Sequence, residues 1–448
     1  MSGRVDQLVV NGPTRLSGEV VVPGAKNSVS KLLAASMLAP DTSEFSNVPR
    51  IEDTAVTLDI CKSLGTVLEA PRDRSLRVAT NAIISSEVPA DLARQNRLSV
   101  MMLAPLLHRT GMAVVPGAGG DRIGVRPVDF HISAYRKMGA DVEIQDDAYV
   151  LRSDGLSGCE IELPYPSVSA TENILMAGAL AEGRTYIRNA AIEPEVIEVA
   201  LFLQKMGAII EHKVERTFVV EGVGKLNGAV HEIMPDRLVA ATIGTAALVT
   251  GGDVFLRHAR QRDMLSFLNT VRKIGGSFQI DSEGIRFFRD GPLRPIAMET
   301  SVHPGFMTDW QPPFVVLLTQ ASGMSVIHET VFEDRFGFVE QLKEMGADIE
   351  IYDTCLGGTR CRFAEKGYRH SAVIRGPARL RGTDLEIPDL RAGFTQLIAA
   401  IAADGESRLT GVEQIDRGYE DIDETLRALG ASIERCEAAS DKSALQAS

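Results

Sequence analysis

Val199–Lys213 reads VALFLQKMGAIIEHK. An amphipathic helical stretch runs to Gly207, and a strand-like run follows it. Glycine is the residue that takes the left-handed conformation closing a helix most readily. The same pattern returns in Phe338–Tyr352, FVEQLKEMGADIEIY, and in Leu426–Cys436, LRALGASIERC. Shorter echoes are Leu64-Gly65, Met138-Gly139-Ala140 and Ile274-Gly275-Gly276. The copies recur at roughly 70 residues, and self-similarity at a fixed period marks a repeat architecture.

A second mark falls about midway between these glycines: HRTGMAVV, AEGRTYIRN, VTGGDVFLRH, ASGMSVIHE and ADGESRLTG. Each is a helix end, a glycine turn and a strand. In the first copy LAPDTSEFSNV does the same with Pro40 and Asp41. The spacing predicts six units, each strand, helix, strand, strand, helix, strand, with the helices on one side of a sheet. Three units per domain is the simplest division. Leu238–Val249 and Thr395–Ala403 are apolar nearly all round, which predicts helices buried inside each domain. Leu8–Val22 reads as a hairpin with its turn at Asn11-Gly12-Pro13, completing a unit elsewhere. Residues 437–448 are small and polar, which predicts a disordered tail.

The chain has 448 residues and a net charge of −13, from 47 basic and 60 acidic side chains, which disfavours nucleic acid or an anionic membrane as main partner. An anionic small molecule would need a local cluster of Arg and Lys. The start, MSGRVDQLVV, lacks the apolar run of a signal peptide, so a cytoplasmic protein is expected. The five cysteines form no C-x-x-C and the histidines no H-E-x-x-H or close pair. Reduced thiols are therefore expected, with neither a disulfide framework nor a zinc site, and no catalytic metal. P-loop, Rossmann and nucleophile-elbow motifs are absent.

Candidate chemistry falls in the turns. Pro116–His131, PGAGGDRIGVRPVDFH, follows the strand-like Met112–Val115. Gly117, Gly119 and Gly120 make a loop carrying Asp121 and Arg122, with Arg126, Pro127 and Asp129 beyond it. This is either an active-site lid or a long surface hairpin. Lys26-Asn27 open the first helix after Pro23-Gly24-Ala25, where a helix N-terminus suits phosphate or carboxylate, or where the lysine is merely exposed. Arg97 precedes the apolar SVMMLAPLL and alone reads as solvated. In the second half stand Thr308-Asp309 before Trp310, Arg335 in ETVFEDRF, Asp389-Leu390-Arg391 at the start of the last apolar helix, and Asp416 to Glu420 at the start of the final one. An Asp at a helix start is usually an N-cap. As a set, however, cations recur at equivalent turns of both halves, and they would collect positive charge in one cleft for an anionic substrate.

These residues resemble the enolpyruvyl transferases over nearly the whole chain, from about Leu8 to about Glu434. The motifs are PGAKN, GGDRIGVRPVDFH, PSVSATEN, NAAIEPE, PDR, TDWQ, FEDRF, DLRA and IDRGYE. The lysine motif and G-N-A-G-T loop of the enolpyruvylshikimate branch are absent; the likeness is to the branch acting on UDP-N-acetylglucosamine. The resemblance implies an α/β fold of two inside-out barrels, with six βαββαβ repeats, three per domain, the first over 25–233 and the second over 1–24 plus 234–436. It implies transfer of the enolpyruvyl group of phosphoenolpyruvate to the sugar's 3-hydroxyl by addition and elimination, in peptidoglycan synthesis, without metal or cofactor. Relatives acting on another nucleotide such as UMP, or silent UDP-sugar binders, are the alternatives.

Carried over by motif, Lys26, Arg126 and Arg417 would bind phosphate, and Arg335 and Arg391 would face the carboxylate and phosphate region. Asn27 and Asp309 would hold the sugar, with Asp309 taking the hydroxyl proton. Arg97, Arg126, Pro127, Val128, Asp129, Phe130, Ser167 and Val168 would bind the UDP part, and Val331 the sugar. Glu193, Asp389 and Asp309 would stabilise the oxocarbenium-like species. Asp121 stands where most of the family has cysteine, the proton donor to the methylene carbon and the target of the epoxide fosfomycin. Other departures are Ser169 for a usual glycine, Val239-Ala240-Ala241 after PDR, and Tyr165 for a basic residue.

Overall fold

The computed structural model describes residues 6–95, 97–117, 128–145, 147–358 and 360–437. The repeat glycines do what the pattern requires. Gly65, Gly139, Gly207, Gly275, Gly346 and Gly430 close the second helix of each unit at φ between 84° and 110°. Gly111, Gly183, Gly251, Gly323 and Gly405 turn the chain after the first helix, also at positive φ. An L side chain is strained there, so a glycine marks each turn.

The chain divides into two compact units, Pro23–Asp236 with Val302–Pro304, and Met1–Val22 with Arg237–Ser301 and Gly305–Ser448. Among the described residues each unit holds three sheets. In the second unit the helices Arg237–Val249 and Gln311–Thr319 are buried at every residue, and Leu390–Ala402 at all but Ala402. These three helices pack on one another, and the sheets cover them. A helix apolar all round has no solvent face to offer, so it forms the centre. In the 23–236 unit the central helices are Lys26–Ser36, Leu103–Thr110 and Val168–Ala179. Nine residues of Lys26–Ser36 are buried, and the two that are not are Lys26 and Asn27.

The six-unit, inside-out α/β architecture is thus the one expected, but the order of elements within a unit is not. One strand, not two, separates the two helices, and two strands follow the second helix. Val230–Glu232, Arg237–Val249, Asp253–Arg257, Leu265–Lys273, Ser277–Ile280 and Gly284–Phe288 show the βαβαββ order.

The opening segment is not a hairpin. Asp6–Gly12 lies between Gly405–Thr410 and Ser432–Glu437, antiparallel to both. Ser17–Val21 pairs parallel with Asp253–Arg257 in a different sheet. Gly12 is required by proximity: a Cβ there would stand 2.5 Å from the Ala403 carbonyl oxygen. Val230–Glu232 likewise closes the 23–236 unit by pairing parallel with Ser43–Ser46. Glu437, assigned above to the tail, is the last residue of a strand; residues 438–448 lie outside the described residues. No described helix is long and apolar enough to cross a membrane.

Candidate active site

In the 23–236 unit, Pro23-Gly24-Ala25 delivers the chain to its first helix. Gly24 is forced by packing, since a Cβ would fall 1.9 Å from the Asn47 carbonyl oxygen. Ala25, at the N-cap position, has no side chain able to cap. The carboxylate of Asp236 substitutes, accepting the Lys26 backbone N–H at 3.0 Å. The Lys26 ammonium is 14% exposed and pairs with Asp53, itself 5% exposed. The lysine is therefore held at the helix start rather than waving in solvent.

A second group in this unit gathers around His131. The helix Asp129–Lys137 starts immediately after the buried Val128, and Asp129 and Phe130 occupy its first turn. Ser167 caps Val168–Ala179, its hydroxyl accepting from Ala170 N at 3.4 Å. Asn173 Nδ2 donates to His131 Nδ1 at 3.0 Å, so His131 Nε2–H donates to Ser169 Oγ at 3.1 Å. Tyr135 donates to Asn173 Oδ1 at 2.6 Å. Burial, with the charge of Arg97 second, pushes His131 down to about 3, so the ring is neutral and this pattern holds at ordinary pH. The network binds the N-terminal turns of two helices together beside Arg97.

In the second unit a single turn, Thr308–Trp310, leads into Gln311–Thr319. Pro312 and Pro313 sit in the helix's first turn, where an N–H has no intrahelical partner to lose. Asp309 accepts from Arg335 Nη2 at 2.5 Å and lies 3.5 Å from Arg391 Nε. The two guanidiniums are 3% and 7% exposed. Two buried cations thus share one carboxylate. The nearby Glu329 accepts from Thr308 Oγ1 at 3.0 Å and from the N–H groups of Val331 and Phe332. Burial raises the Glu329 pKa, with the Arg335 charge opposing it. Arg335 Nε is buried with no hydrogen-bond partner among the described residues. Arg391 Nη1 donates to the Tyr419 hydroxyl at 3.0 Å. Arg417 is half-buried and donates to Gln414 Oε1 at 3.2 Å. Arg335, Arg391 and Arg417 are cations of the kind that suit an anion.

Residues 10–426 match the family model described as EPSP synthase (3-phosphoshikimate 1-carboxyvinyltransferase). The chain belongs to the enolpyruvyl transferase family. It is 47% identical to the UDP-N-acetylglucosamine 1-carboxyvinyltransferase of Protochlamydia amoebophila, over 96% of this chain and 94% of the relative. With that of Chlamydia muridarum the identity is 44%, over 95% and 97%. Among solved structures, the enolpyruvyl transferase NikO from Streptomyces tendae superposes with a TM-score of 0.86 at 25% identity, covering 98% of this chain and all of that one.

For this enolpyruvyl transferase the motif residues divide as follows. Lys26, Asn27, Arg97, Val128 to Phe130, Ser167, Val168 and Glu193 lie in the 23–236 unit, and Asp309, Val331, Arg335, Asp389, Arg391 and Arg417 in the second. Asp121, Arg126 and Pro127 lie outside the described residues. Asp389 is the N-cap the sequence suggests, accepting from Arg391 N and Ala392 N at 2.8 and 3.0 Å. Asp416 to Glu420 do not start the final helix, which begins at Ile422. Asp416 instead takes two 2.8 Å hydrogen bonds from Arg435. Ser169 has a structural use that the family's usual glycine could not serve, as acceptor for His131. Sequence reasoning missed Asp53 and Glu329, which have no local motif; each is recognised only by the cation it meets.

It also missed Glu172. This side chain is fully buried in Val168–Ala179, 4.0 Å from Lys31 Nζ. Burial foremost pushes it from 4.5 up to about 8; Lys31 opposes, and Glu195, Glu193 and Glu198 add to the rise. At 4.0 Å the lysine does not hold the carboxylate ionised, and the neutral acid dominates at pH 7. The folded chain keeps this proton to higher pH than the unfolded chain. Stability from it is complete below about 4.5 and is lost as pH rises through about 8. Melting temperature should therefore fall between pH 6 and 8.5, and Glu172→Gln should flatten that fall. Equal slopes in the two proteins would show that Glu172 does not hold the proton.

Proposed function

We propose that this chain transfers the enolpyruvyl group of phosphoenolpyruvate to the 3-hydroxyl of UDP-N-acetylglucosamine and releases phosphate, the first committed step of peptidoglycan synthesis, in the cytoplasm. The observation that carries the chemistry is Asp309 under two buried guanidiniums. The acceptor is supported by relatives named for it that are 44–47% identical over 95–96% of this chain.

Phosphoenolpyruvate is a polyanion and needs fixed cations; Lys26, Arg126 and Arg417 serve its phosphate, and Arg335 and Arg391 its carboxylate and phosphate region. Asp309 accepts a hydrogen bond from Arg335 and lies 3.5 Å from Arg391 Nε. When the substrate's anionic groups draw Arg335 and Arg391 toward themselves, the Asp309 carboxylate is freed to meet the sugar hydroxyl. The hydroxyl oxygen then bonds to C2 of phosphoenolpyruvate, Asp309 takes its proton, and Asp121 gives a proton to C3. In the second half the C2–O bond to phosphate breaks and C3 loses a proton. Glu193, Asp389 and Asp309 offset the positive charge that develops at C2. Arg97, Val128 to Phe130, Ser167 and Val168 hold the UDP part around the rigid His131–Asn173 network, and Asn27 and Val331 hold the sugar.

The decisive assay is phosphate release from phosphoenolpyruvate with UDP-N-acetylglucosamine, with UMP, and with neither. Release with the UDP-sugar alone is expected. Release only with UMP would replace the acceptor, and no release with either would leave a binding protein.

A further inference from the structure

Two cysteines and two histidines that the reaction does not use meet in the second unit. Their sheet runs Ala297–Glu299, Gly323–His328, Ser371–Gly376, Asp348–Tyr352. His328 ends its strand and pairs across the ladder with Ser371, which places His370 alongside it; the two rings are 5.4 Å apart. Cys355 and Cys361 come from the connection between Asp348–Tyr352 and Ser371–Gly376, which folds back over the two rings. The ligand atoms of His328, Cys355, Cys361 and His370 all lie within 4.8 Å of one another. The sequence reading that the cysteines are scattered does not hold for this pair, which lies beside two histidines. Its test was C-x-x-C spacing, whereas the sheet register brings the four residues together.

The separations have the size of a metal tetrahedron. With Zn–S near 2.3 Å and Zn–N near 2.05 Å, S···S edges are about 3.8 Å and S···N edges about 3.5 Å. Cys355 Sγ stands 3.6 Å from Cys361 Sγ and 3.4 Å from His370 Nε2. Each ring is oriented from behind, as metal-bound imidazoles are. His370 Nδ1–H donates to the Tyr368 carbonyl at 2.6 Å, and His328 Nδ1 faces Glu299 Oε2 at 3.4 Å. Both leave Nε2 for the centre. His328 is fully buried, and its Nε2 has no hydrogen-bond partner among the described residues. Cys361 Sγ also accepts the Phe363 N–H at 3.3 Å. Gly357 lets the connection lie directly on the His328–Glu299 pair, since a Cβ there would fall 2.2 Å from His328 Nδ1.

We propose that His328, Cys355, Cys361 and His370 bind one zinc ion in a closed, structural Cys2His2 site. Two thiolates and two neutral imidazoles balance the dication, and the two thiol protons leave on binding. Four protein ligands leave no open position, so the ion does no chemistry. It fastens the Cys355–His370 segment to the sheet. Arg362, beside Cys361, donates to the Val331 carbonyl, so the fastened segment also steadies a residue assigned above to the sugar.

The test uses the full chain, purified under reducing conditions without added metal or chelator and freed of any histidine tag. Elemental analysis should find about one zinc per chain. Cobalt exchanged for zinc should give the intense visible bands of a tetrahedral ion and thiolate charge-transfer absorption. Both signals should vanish in Cys355→Ser/Cys361→Ser. A zinc-free wild-type protein that gives no cobalt bands would overturn the proposal, as would zinc retained by the double variant. A metal-free chain carrying a Cys355–Cys361 disulfide by peptide mass would also overturn it.

Discussion

Lys26→Ala lowers kcat/KM for phosphoenolpyruvate by about 10²–10³-fold, the scale of losing one fixed donor to developing charge. Losing a charge-assisted contact to phosphate also removes about 1.5–3 kcal/mol of binding, so calorimetric affinity for phosphoenolpyruvate falls roughly 10- to 150-fold. The fold is expected to survive, because the helix keeps its Asp236 cap on the residue 26 backbone N–H. The loss of the Lys26–Asp53 pair is separated from the loss of phosphate binding by a double variant. Lys26→Ala/Asp53→Ala should recover melting temperature without recovering turnover. Phosphoenolpyruvate binding that is unchanged in Lys26→Ala, with and without UDP-N-acetylglucosamine present, refutes the role.

Fosfomycin should cause no time-dependent loss of activity. A thiolate opens an epoxide readily, and a carboxylate does so far more slowly. Position 121 is aspartate, and the chain's five cysteines, Cys61, Cys159, Cys355, Cys361 and Cys436, all lie elsewhere. Cys61 is buried, and burial pushes its thiol up to about 12, so it is inert as a nucleophile. Asp121→Cys should keep turnover and gain sensitivity, while Asp121→Asn, which has no proton to give, should lose most activity. A covalent mass shift on the peptide spanning residues 117–126 of the unmodified protein would overturn this reading of the loop.

Much of the fold is legible because the repeat is written in glycines. Gly65 through Gly430 occupy a backbone region that other side chains rarely adopt, so the sequence cannot vary there without strain. Gly12 shows how the same residue misleads. Asn11-Gly12-Pro13 has the composition of a hairpin turn, yet Gly12 is present because carbonyls of residues 400–403 crowd it. That contact joins segments nearly 400 positions apart, and no local pattern contains it. The cations of the site are legible from their turns, but their partners are not. Asp53 lies 27 positions from Lys26, and Asp309 26 positions from Arg335. The metal ligands are illegible for a related reason: His328 and His370 are neighbours only through strand register.

The place of Asp6–Gly12 between Gly405–Thr410 and Ser432–Glu437 governs how the molecule is born. On the ribosome the 23–236 unit has all its strands once Glu232 has emerged, and it can assemble while synthesis continues. The chain's opening strand has no such opportunity. One of its hydrogen-bonding edges stays open until residue 410 is made and the other until residue 437, on the order of 20–90 s later at about 5–20 residues per second. An open strand edge is a template for wrong pairing. Asp6–Gly12 is therefore a segment that needs shielding in the nascent chain until both of its partner strands have been made.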